Sequence, residues 1–225
     1  MNIPSIIAID GPAASGKSTV GEKLAAELGY LFFDTGVMYR AITWAALDRL
    51  HSVDNEDEVS KLANSVTIDV LPPSKPDDRQ CDVLLDGEDV TWEIRRPRVE
   101  SHVSQVAAYP EVRIAMTIQQ RRIAQRGKVV MVGRDIGTVV CPEAELKIFL
   151  IASVEVRAQR RLDEMLQRGE STSYETIFNS MRRRDRIDST RAMAPLKAAD
   201  DAVIIDTNDL TIEEVLNKVR SLLQV

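Results

Sequence analysis

Short apolar runs alternate along the chain with longer amphipathic stretches. Five of the runs are rich in branched or aromatic side chains, at residues 5–9, 31–33, 129–132, 147–151 and 202–206. Apolar runs without polar alternation are typical of strands that are buried on both faces of a sheet. The intervening stretches repeat their hydrophobic residues at helical spacing, so the pattern predicts an α/β fold with a mostly parallel sheet and helices on both faces.

Capping residues, glycine and proline give the boundaries of the helices. Four of the predicted helices span about residues 17–28, 37–50, 110–126 and 212–222. Gly29 ends the first helix, and Pro110 separates the third from a shorter helix before it. Thr211 and Glu214 form a capping box ahead of the last helix, which has a clear apolar face.

Two segments interrupt the alternation. Residues 66–89 place three prolines and a polar loop between two strand-like runs, VTIDV and DVLLDG, which predicts a small antiparallel insertion. Residues 157–191 are strongly charged and predict two helices, the first ending at Gly169. Thr172 and Glu175 are expected to cap the second helix.

Composition limits the class of protein. The chain has 225 residues, 44% of them hydrophobic, which is enough for a full globular core. Its 29 lysines and arginines against 35 acidic residues give a formal charge of −6, which disfavours an extended nucleic-acid surface. The two cysteines are far apart and the N-terminal sequence does not resemble a leader, which predicts a reduced, cytoplasmic protein. No apolar run is long enough for a membrane segment, and the two histidines lack metal-ligand spacing, so a structural zinc or a haem is not expected.

The strongest motif is GPAASGKS, residues 11–18, which fits G-x4-G-K-[ST]. It follows a predicted strand and opens a predicted helix, as a phosphate-binding loop must. The backbone N–H groups of such a loop surround a polyphosphate, and Gly11 and Gly16 allow an approach that a β-carbon would block. Lys17 would reach the β- and γ-phosphates, and Ser18 would hold Mg²⁺. The motif predicts nucleotide binding but leaves the reaction open.

Other signals narrow the class of nucleotide-binding protein. The Asp-x-x-Gly and Asn-Lys-x-Asp motifs of GTPases are absent, and the strand at residues 129–132 ends in Gly-Arg-Asp rather than in the acid of a motor ATPase. A phosphotransferase with an acceptor site remains, because phosphoryl transfer depends on charge balance and exclusion of water. Residues 181–191, MRRRDRIDSTR, carry five arginines that could supply this charge or could form a solvated, aspartate-paired helix face.

Five segments carry a family resemblance. They are DGPAASGKST at residues 10–19, DTGVMYRAIT at 34–43, SQVAAYPEVR at 104–113, GRDIGTVVCPEAELKIFL at 133–150 and RRDRIDSTRAMAPL at 183–196. Together they resemble the bacterial cytidylate kinase family of P-loop nucleoside monophosphate kinases, in order along the whole chain and including the insertion. The sequence departs from that family at Val132, where many members have an acid, and at Trp92, where a small polar residue is usual.

The resemblance implies an acceptor site for CMP and dCMP. Its residues would be Thr35, Arg40, Arg113, Arg134, Asp135, Arg184, Asp188 and Arg191. Arg113, Arg134 and Asp135 would contact the phosphate and the cytosine, because an acid can accept from the exocyclic amine and an arginine can donate to the ring. Arg184, Asp188 and Arg191 would share one helical face if the helix extends that far. Asp188 would then orient one of the two arginines or contact the ribose.

The resemblance also implies a donor site for ATP with Mg²⁺. The donor-binding residues would be Gly11, Pro12, Ala13, Ala14, Ser15, Gly16, Lys17, Ser18 and Thr19 of the loop, with Arg157, Arg160 and the neighbouring Arg161 approaching from a lid. Ser18 and Asp34 would hold the metal, Asp34 through water. The catalytic groups would be Lys17, Arg134, Arg160 and Arg184, acting by position and charge rather than as general bases.

The expected fold is therefore an α/β, three-layer P-loop kinase fold with a five-stranded parallel sheet, a small antiparallel β insertion in the acceptor-binding region and a helical lid. Residues 1–37, 100–156 and 192–225 would form the core, residues 38–99 the nucleoside monophosphate-binding region, and residues 157–191 the lid and return helix. The expected activity is transfer of the γ-phosphoryl group of ATP to CMP or dCMP in pyrimidine metabolism, by a monomer without nucleic-acid or membrane partners.

Several alternatives stay open. The acceptor could be UMP, AMP or a small metabolite alcohol such as shikimate, and a nucleotide-dependent regulatory protein would bind ATP without acceptor-stimulated formation of ADP. GRDIG could be a β-turn with a local Arg–Asp salt bridge, and DTGVMYR could be an ordinary capped helix start.

Overall fold

The computed structural model describes residues 3–223. The strands of this part of the chain are β1 (Ile6–Asp10), β2 (Leu31–Asp34), β3 (Ile68–Leu71), β4 (Asp82–Leu85), β5 (Glu88–Asp89), β6 (Val129–Gly133), β7 (Leu146–Ile151) and β8 (Val203–Asp206). The α-helices are α1 (Lys17–Leu28), α2 (Gly36–Arg49), α3 (Glu56–Ser65), α4 (Pro97–Val106), α5 (Pro110–Ala124), α6 (Val154–Gln167), α7 (Tyr174–Thr190) and α8 (Ile212–Leu223). None of these helices combines the length and the apolar character needed to cross a bilayer.

The main sheet has five parallel strands in the order β2–β6–β1–β7–β8. The central strand β1 pairs with β6 from Ile6↔Val129 to Asp10↔Gly133. All five predicted strands are present, with ends that differ from the prediction by at most one residue. Because the strands are parallel, the carboxyl ends of β1, β2 and β6 lie side by side, which is where open α/β sheets bind their ligands.

Helices cover both faces of the main sheet. On one face, α1 and α8 bury Leu24 and Leu216 against β1 and β7. On the other face, α2 and α5 bury Ile42 and Met116 in a second, larger cluster. The predicted three-layer α/β fold is therefore confirmed.

The predicted insertion is a three-stranded antiparallel sheet in the order β3–β4–β5. Its inward side chains, among them Ile68, Val83 and Leu85, belong to the same hydrophobic cluster as α2 and α5. The insertion therefore shares a hydrophobic core with α2 and α5.

The ends of the helices largely follow the predicted caps. Glu214 Oε2 accepts from the Thr211 backbone N–H at 2.7 Å and the Thr211 hydroxyl accepts from Glu214 N at 3.3 Å, which confirms the capping box. The predicted cap of α7 by Thr172 and Glu175 is wrong, because the chain enters the helix one residue later. Ser173 caps it instead, accepting from Thr176 N at 3.2 Å.

Helix α3 was not predicted. Its sequence, EDEVSKLANS, has few hydrophobic residues and no long apolar stripe. Asn55 caps the helix by accepting from Glu58 N at 3.3 Å, and three acidic residues occupy the first turn. An Asn followed by acids is a helix-start signal that could have located it.

Candidate active site

The loop between β1 and α1 has the backbone geometry of an anion site. Gly11 has a φ of 147°, and a β-carbon there would lie 2.2 Å from the Leu150 carbonyl oxygen of β7, so only glycine fits. Ala14 and Gly16 have left-handed φ values of 58° and 94°. Such turns direct successive N–H groups into one concavity, and the start of α1 adds partial positive charge. These features fit the polyphosphate that the motif predicts.

Lys17 begins α1 and lies beneath this loop. Its side chain is buried, and Nζ donates to the Pro12 carbonyl oxygen at 2.5 Å. Burial and the nearby charge of Arg134 lower the pKa of Lys17, against the opposing effect of Asp34 and Asp10. An ammonium group in such surroundings gains more from an added anion than an exposed lysine does.

The side chains of Ser18 and Asp34, the two predicted metal-binding residues, are in contact. The Ser18 hydroxyl donates to Asp34 Oδ2 at 3.1 Å. Residues 3–223 contain no group of three or more His, Cys, Asp or Glu side chains arranged to hold a metal ion. A hydroxyl and a carboxylate suit Mg²⁺, which usually completes its coordination with water and substrate phosphate oxygens. The residues present therefore fit a metal that is bound together with the nucleotide.

Five of the predicted acceptor residues form one chain of ion pairs. Arg113 Nη2 donates to Asp135 Oδ2 at 2.8 Å, and Arg191 Nη2 lies 3.4 Å from Asp135 Oδ1. Arg191 Nη1 lies 3.6 Å from Asp188 Oδ1, and Asp188 Oδ2 accepts from Arg134 Nε at 3.0 Å. Three guanidinium groups thus share two carboxylates, which leaves an excess of positive charge.

The buried end of this chain is built around Arg113. Its side chain is 4% exposed, and its guanidinium lies 5.5 Å from the centre of the Tyr39 ring, which supports a cation there. Arg113 Nε is buried and has no hydrogen-bond partner among the described residues. Burial and the charge of Arg113 lower the pKa of Arg191. An anionic or acceptor-rich ligand would satisfy both groups.

Arg184 of α7 and Arg40 of α2 both lie near Glu100 of α4. Within the described part of the chain, Arg184 makes no hydrogen bond or ion pair; desolvation and the charge of Arg134 lower its pKa, although part of the side chain stays exposed. Arg40 pairs with Glu100 of α4. The charges of Arg184 and Arg161 also act on Glu100 and favour its ionised form. The sequence did not single out Glu100, whose only signal is an acid in the first turn of a helix.

Arg157 and Arg160 border the phosphate loop and are engaged with protein groups. Arg157 donates to Asp185 of α7 at 2.6 and 3.1 Å and to the Ala13 carbonyl oxygen at 3.2 Å. Arg160 donates to the hydroxyl and the carbonyl oxygen of Thr207. Both side chains tie the helical pair α6–α7 to the donor side of the site. A direct contact of either arginine with a donor phosphate stays a prediction.

The two local alternatives have different outcomes. In GRDIG, Arg134 pairs with Asp188 rather than with the adjacent Asp135, and a single π-helical turn (Ile136–Val140) follows, so the β-turn with a local salt bridge is wrong. In DTGVMYR, Thr35 is the N-cap residue of α2 but makes no side-chain cap hydrogen bond, and the Asp34 carboxylate, one residue earlier, accepts from Gly36 N at 2.9 Å. Thr35 is buried and its hydroxyl donates to the Val132 carbonyl oxygen at 3.0 Å.

A parallel α/β sheet, a phosphate-binding loop at its carboxyl edge and a cluster of arginines opposite that loop define a phosphate-loop kinase. A family model described as cytidylate kinase matches residues 7–225. The cytidylate kinase of Herpetosiphon aurantiacus is 48% identical over 225 residues, covering 100% of this chain and 96% of that one. The cytidylate kinase of Roseiflexus castenholzii is 51% identical over 217 residues, covering 96% and 92%. The chain therefore belongs to the cytidylate kinase family.

A comparison with solved structures adds the fold alone. An uncharacterized protein from Eubacterium ventriosum aligns with a TM-score of 0.50 at 13% identity, over 97% of this chain and 98% of that one.

Proposed function

We propose that the cleft between the phosphate loop, α2, the turn after β6 and α7 transfers the γ-phosphoryl group of ATP to CMP or dCMP. Membership of the cytidylate kinase family makes the protein a phosphotransferase acting on small nucleotides. The observation that carries the assignment to this cleft is the set of arginines that reach it from separate elements. They are Arg40 of α2, Arg113 of α5, Arg134 after β6, Arg184 of α7 and Arg191 after α7.

The donor would occupy the loop of residues 11–19. Backbone N–H groups and the start of α1 would bind the β- and γ-phosphates, with Lys17 beneath them. Ser18 and Asp34 would hold Mg²⁺, which, when bound, neutralises part of the phosphate charge. Arg157 and Arg160 would keep the helical pair α6–α7 against the loop and approach the donor when the lid closes.

The acceptor would lie on the chain of ion pairs. Asp135 has the acceptor oxygens that the exocyclic amine of cytosine requires, and Arg113 has a donor, Nε, without a partner among residues 3–223. Arg40 and Arg191 would bind the acceptor phosphate. Thr35 can still accept a hydrogen bond, because its own hydrogen is donated to Val132.

The reaction then needs no general base. The attacking oxygen of a nucleoside monophosphate is already anionic near neutral pH, so the protein has to bring two anions together and screen them from each other. Lys17, Arg134 and Arg184 would supply positive charge where negative charge collects in the transition state, and Arg160 would help from the lid. Closure would exclude water, which otherwise competes as acceptor.

We propose a division of the chain that follows these roles. Residues 1–37, 100–156 and 192–225 would be the core, residues 38–99 the acceptor-binding region and residues 157–191 the lid. The small hydrophobic cluster of Ala158, Ile177 and Met181 between α6 and α7 supports a lid that keeps its own packing as it moves.

The test is the formation of ADP from ATP and Mg²⁺ with each nucleoside monophosphate in turn, with shikimate as a non-nucleotide acceptor. CMP and dCMP should stimulate ADP formation strongly, UMP and AMP far less, and shikimate not at all. A rate independent of the acceptor, or a preference for AMP, would contradict the assignment. Asp135→Asn should then weaken the preference for cytosine, because the amide keeps only one acceptor oxygen and its NH₂ group cannot accept from the exocyclic amine.

A further inference from the structure

Asp10 connects the donor loop to the acceptor side of the site. It is the last residue of β1, directly before Gly11, and is 4% exposed. Its carboxylate oxygens accept from the backbone N–H groups of Ile136 at 2.9 Å and Gly137 at 2.8 Å. Both donors lie on the turn after β6, whose Gly133 is opposite Asp10 in the sheet. One buried side chain therefore fixes the turn that carries Arg134 and Asp135.

Asp10 takes the place of a local helix cap. Ile136 and Gly137 begin the turn Ile136–Val140, and the first N–H groups of a helical turn have no partner inside it. The residue before the turn usually offers its side chain to these groups, and here that residue is Asp135. Asp135 makes no such bond, and its carboxylate lies against Arg113 and Arg191 instead. Because Asp10 caps the turn, Asp135 can face the acceptor cleft.

The surroundings of Asp10 restrict its carboxylate to this position. Burial raises the pKa of Asp10 to about 6, while the two backbone N–H groups and Lys17 of α1 oppose the shift and Asp135 adds to it. A β-carbon on Gly137 would lie 3.2 Å from the side chain of Lys147 of β7 and 3.5 Å from Asp10 Oδ2, so little space is left around Gly137. A buried carboxylate with two donors and little free space holds its partners in one arrangement.

We propose that Asp10 is a positioning residue for the acceptor nucleotide. By holding the start of the turn Ile136–Val140, it fixes the preceding residues Arg134 and Asp135 relative to the phosphate loop. In this way it sets the affinity and base selectivity for the acceptor without touching either substrate. The inference rests on the proposed placement of Arg134 and Asp135 in the acceptor site.

Asp10→Asn tests this role with little change in size. The amide keeps one acceptor oxygen, but its NH₂ group opposes one of the two backbone donors, so the turn should shift. Loss of one hydrogen bond to a charged group predicts a dissociation constant and a KM for CMP raised about tenfold or more. The ratio of kcat/KM for CMP to that for UMP should fall as well. ATP affinity, measured by calorimetry, should change little.

Asp86→Asn is a matched control. The Asp86 carboxylate also accepts from a backbone N–H, that of Thr67 at 2.8 Å, and pairs with Arg49, but it lies in the insertion. Its left-handed φ of 51° suits asparagine. This variant should bind CMP and ATP as the parent does and keep the parent's selectivity.

Two results would overturn the proposal. One is a folded Asp10→Asn variant with the parental CMP affinity and CMP-to-UMP ratio. The other is a parallel loss of CMP affinity, ATP affinity and thermal stability, which would make Asp10 a structural residue only. If Asp10→Asn does not fold, Asp10→Ser, which keeps a single short acceptor, is judged by the same measurements. CMP-stimulated ADP formation by the parent protein is measured first, so that failure of the proposed function can be distinguished from failure of the role of Asp10.

Discussion

Arginine is buried both in the antiparallel insertion and in the acceptor cleft, but the carboxylates around it differ. In the insertion, the Arg79 side chain is 2% exposed and lies 2.7 to 2.9 Å from Asp77, Asp82 and Asp89. Hydrogen bonds from Arg79 and Trp92 hold the pKa of Asp77 below its usual range. Hydrogen bonds from Thr91 and Arg79 do the same for the pKa of Asp89. One guanidinium is surrounded by three carboxylates.

In the cleft the arginines outnumber the carboxylates. Three arginines share the carboxylates of Asp135 and Asp188, and Arg184 has no partner within the described part of the chain. The pKa shifts of the arginines are also opposite. Hydrogen bonds to Asp77, Asp82 and Asp89 raise the pKa of Arg79, whereas burial and neighbouring arginines lower the pKa values of Arg184 and Arg191. The surroundings in the cleft therefore disfavour the positive charges of Arg184 and Arg191.

The difference separates a structural network from a binding site. A guanidinium that is fully paired with carboxylates stabilises the folded chain and has nothing left to offer a ligand. Guanidinium groups that repel one another are stabilised when an anion binds between them. Removing arginine from the insertion should therefore cost stability, whereas removing it from the cleft should cost activity.

The largest effect is expected for Lys17→Met. The substitution keeps the apolar stem but removes the ammonium that would contact the transferring group, so kcat should fall about 10³-fold. The measurement is the steady-state rate of CMP-dependent ADP formation. Lys23→Met, an exposed position on the same helix, is the control and should keep the parental rate. Nearly parental turnover of Lys17→Met would show that the phosphate loop does not take part in the reaction as proposed.

Arg184→Ala should give the next largest effect and sharpen the comparison. Loss of one positioned donor predicts a kcat about 10²-fold lower, with far less change in ATP affinity. Because Arg184 is repelled by Arg134 in the ligand-free protein, the thermal stability should stay the same or rise. Kinetics and thermal melting of the same preparation measure both effects.

The control for Arg184→Ala is the neighbouring Arg183→Ala. Arg183 is exposed and makes no ion pair within the described residues, so its removal should leave turnover unchanged. Equal losses of activity in the two variants would mean that the helix needs its net charge and that Arg184 has no specific position. A large loss of stability in Arg184→Ala would contradict the difference between cleft and insertion.

Arg79→Met should have the opposite profile. Three carboxylates would lose their common partner, so the protein should unfold at a lower temperature while kcat at low temperature stays close to that of the parent. Asp77 and Asp89 have folded-state pKa values below the ordinary 3.8. Their contribution to stability is therefore present above about pH 4 and is lost as the pH falls through the lowered values. The stability difference between parent and variant should be large at pH 7 and shrink towards pH 3.

What could be predicted from the sequence depends on local signals. The five strands are apolar runs and could be located within about one residue, and the phosphate loop is a contiguous motif. Helix ends that carry a cap or glycine could be located within about two residues, whereas α3 was missed. The contact of Ser18 with Asp34 also follows, because both residues lie at the carboxyl edge of the sheet. The resemblance to a family added the order of these segments and the identity of the substrate.

The pairing of charges could not be predicted. Arg113 and Asp135 are 22 residues apart and Asp10 and Ile136 are 126 apart, and sequence spacing relates charges only within a helix. The segment PDDR around Arg79 is typical of a solvated loop, yet folding of β4 and β5 buries its guanidinium. Which arginines are structural and which are free for a ligand is therefore decided by tertiary packing.

Lys75→Met should have the smallest effect on stability, and it tests whether the burial of an ion pair determines how much the pair stabilises the insertion. Lys75 Nζ lies 2.9 Å from Asp89 Oδ2, but the two side chains are 59% and 31% exposed. Asp89 would keep its bonds from Arg79 and Thr91, and exposed pairs contribute little because water screens them. The free energy of unfolding in urea should change by less than about 0.5 kcal/mol, with unchanged turnover. If Lys75→Met cost as much stability as Arg79→Met, the number of ion pairs and not their burial would hold the insertion together, and the contrast with the cleft would lose its physical basis.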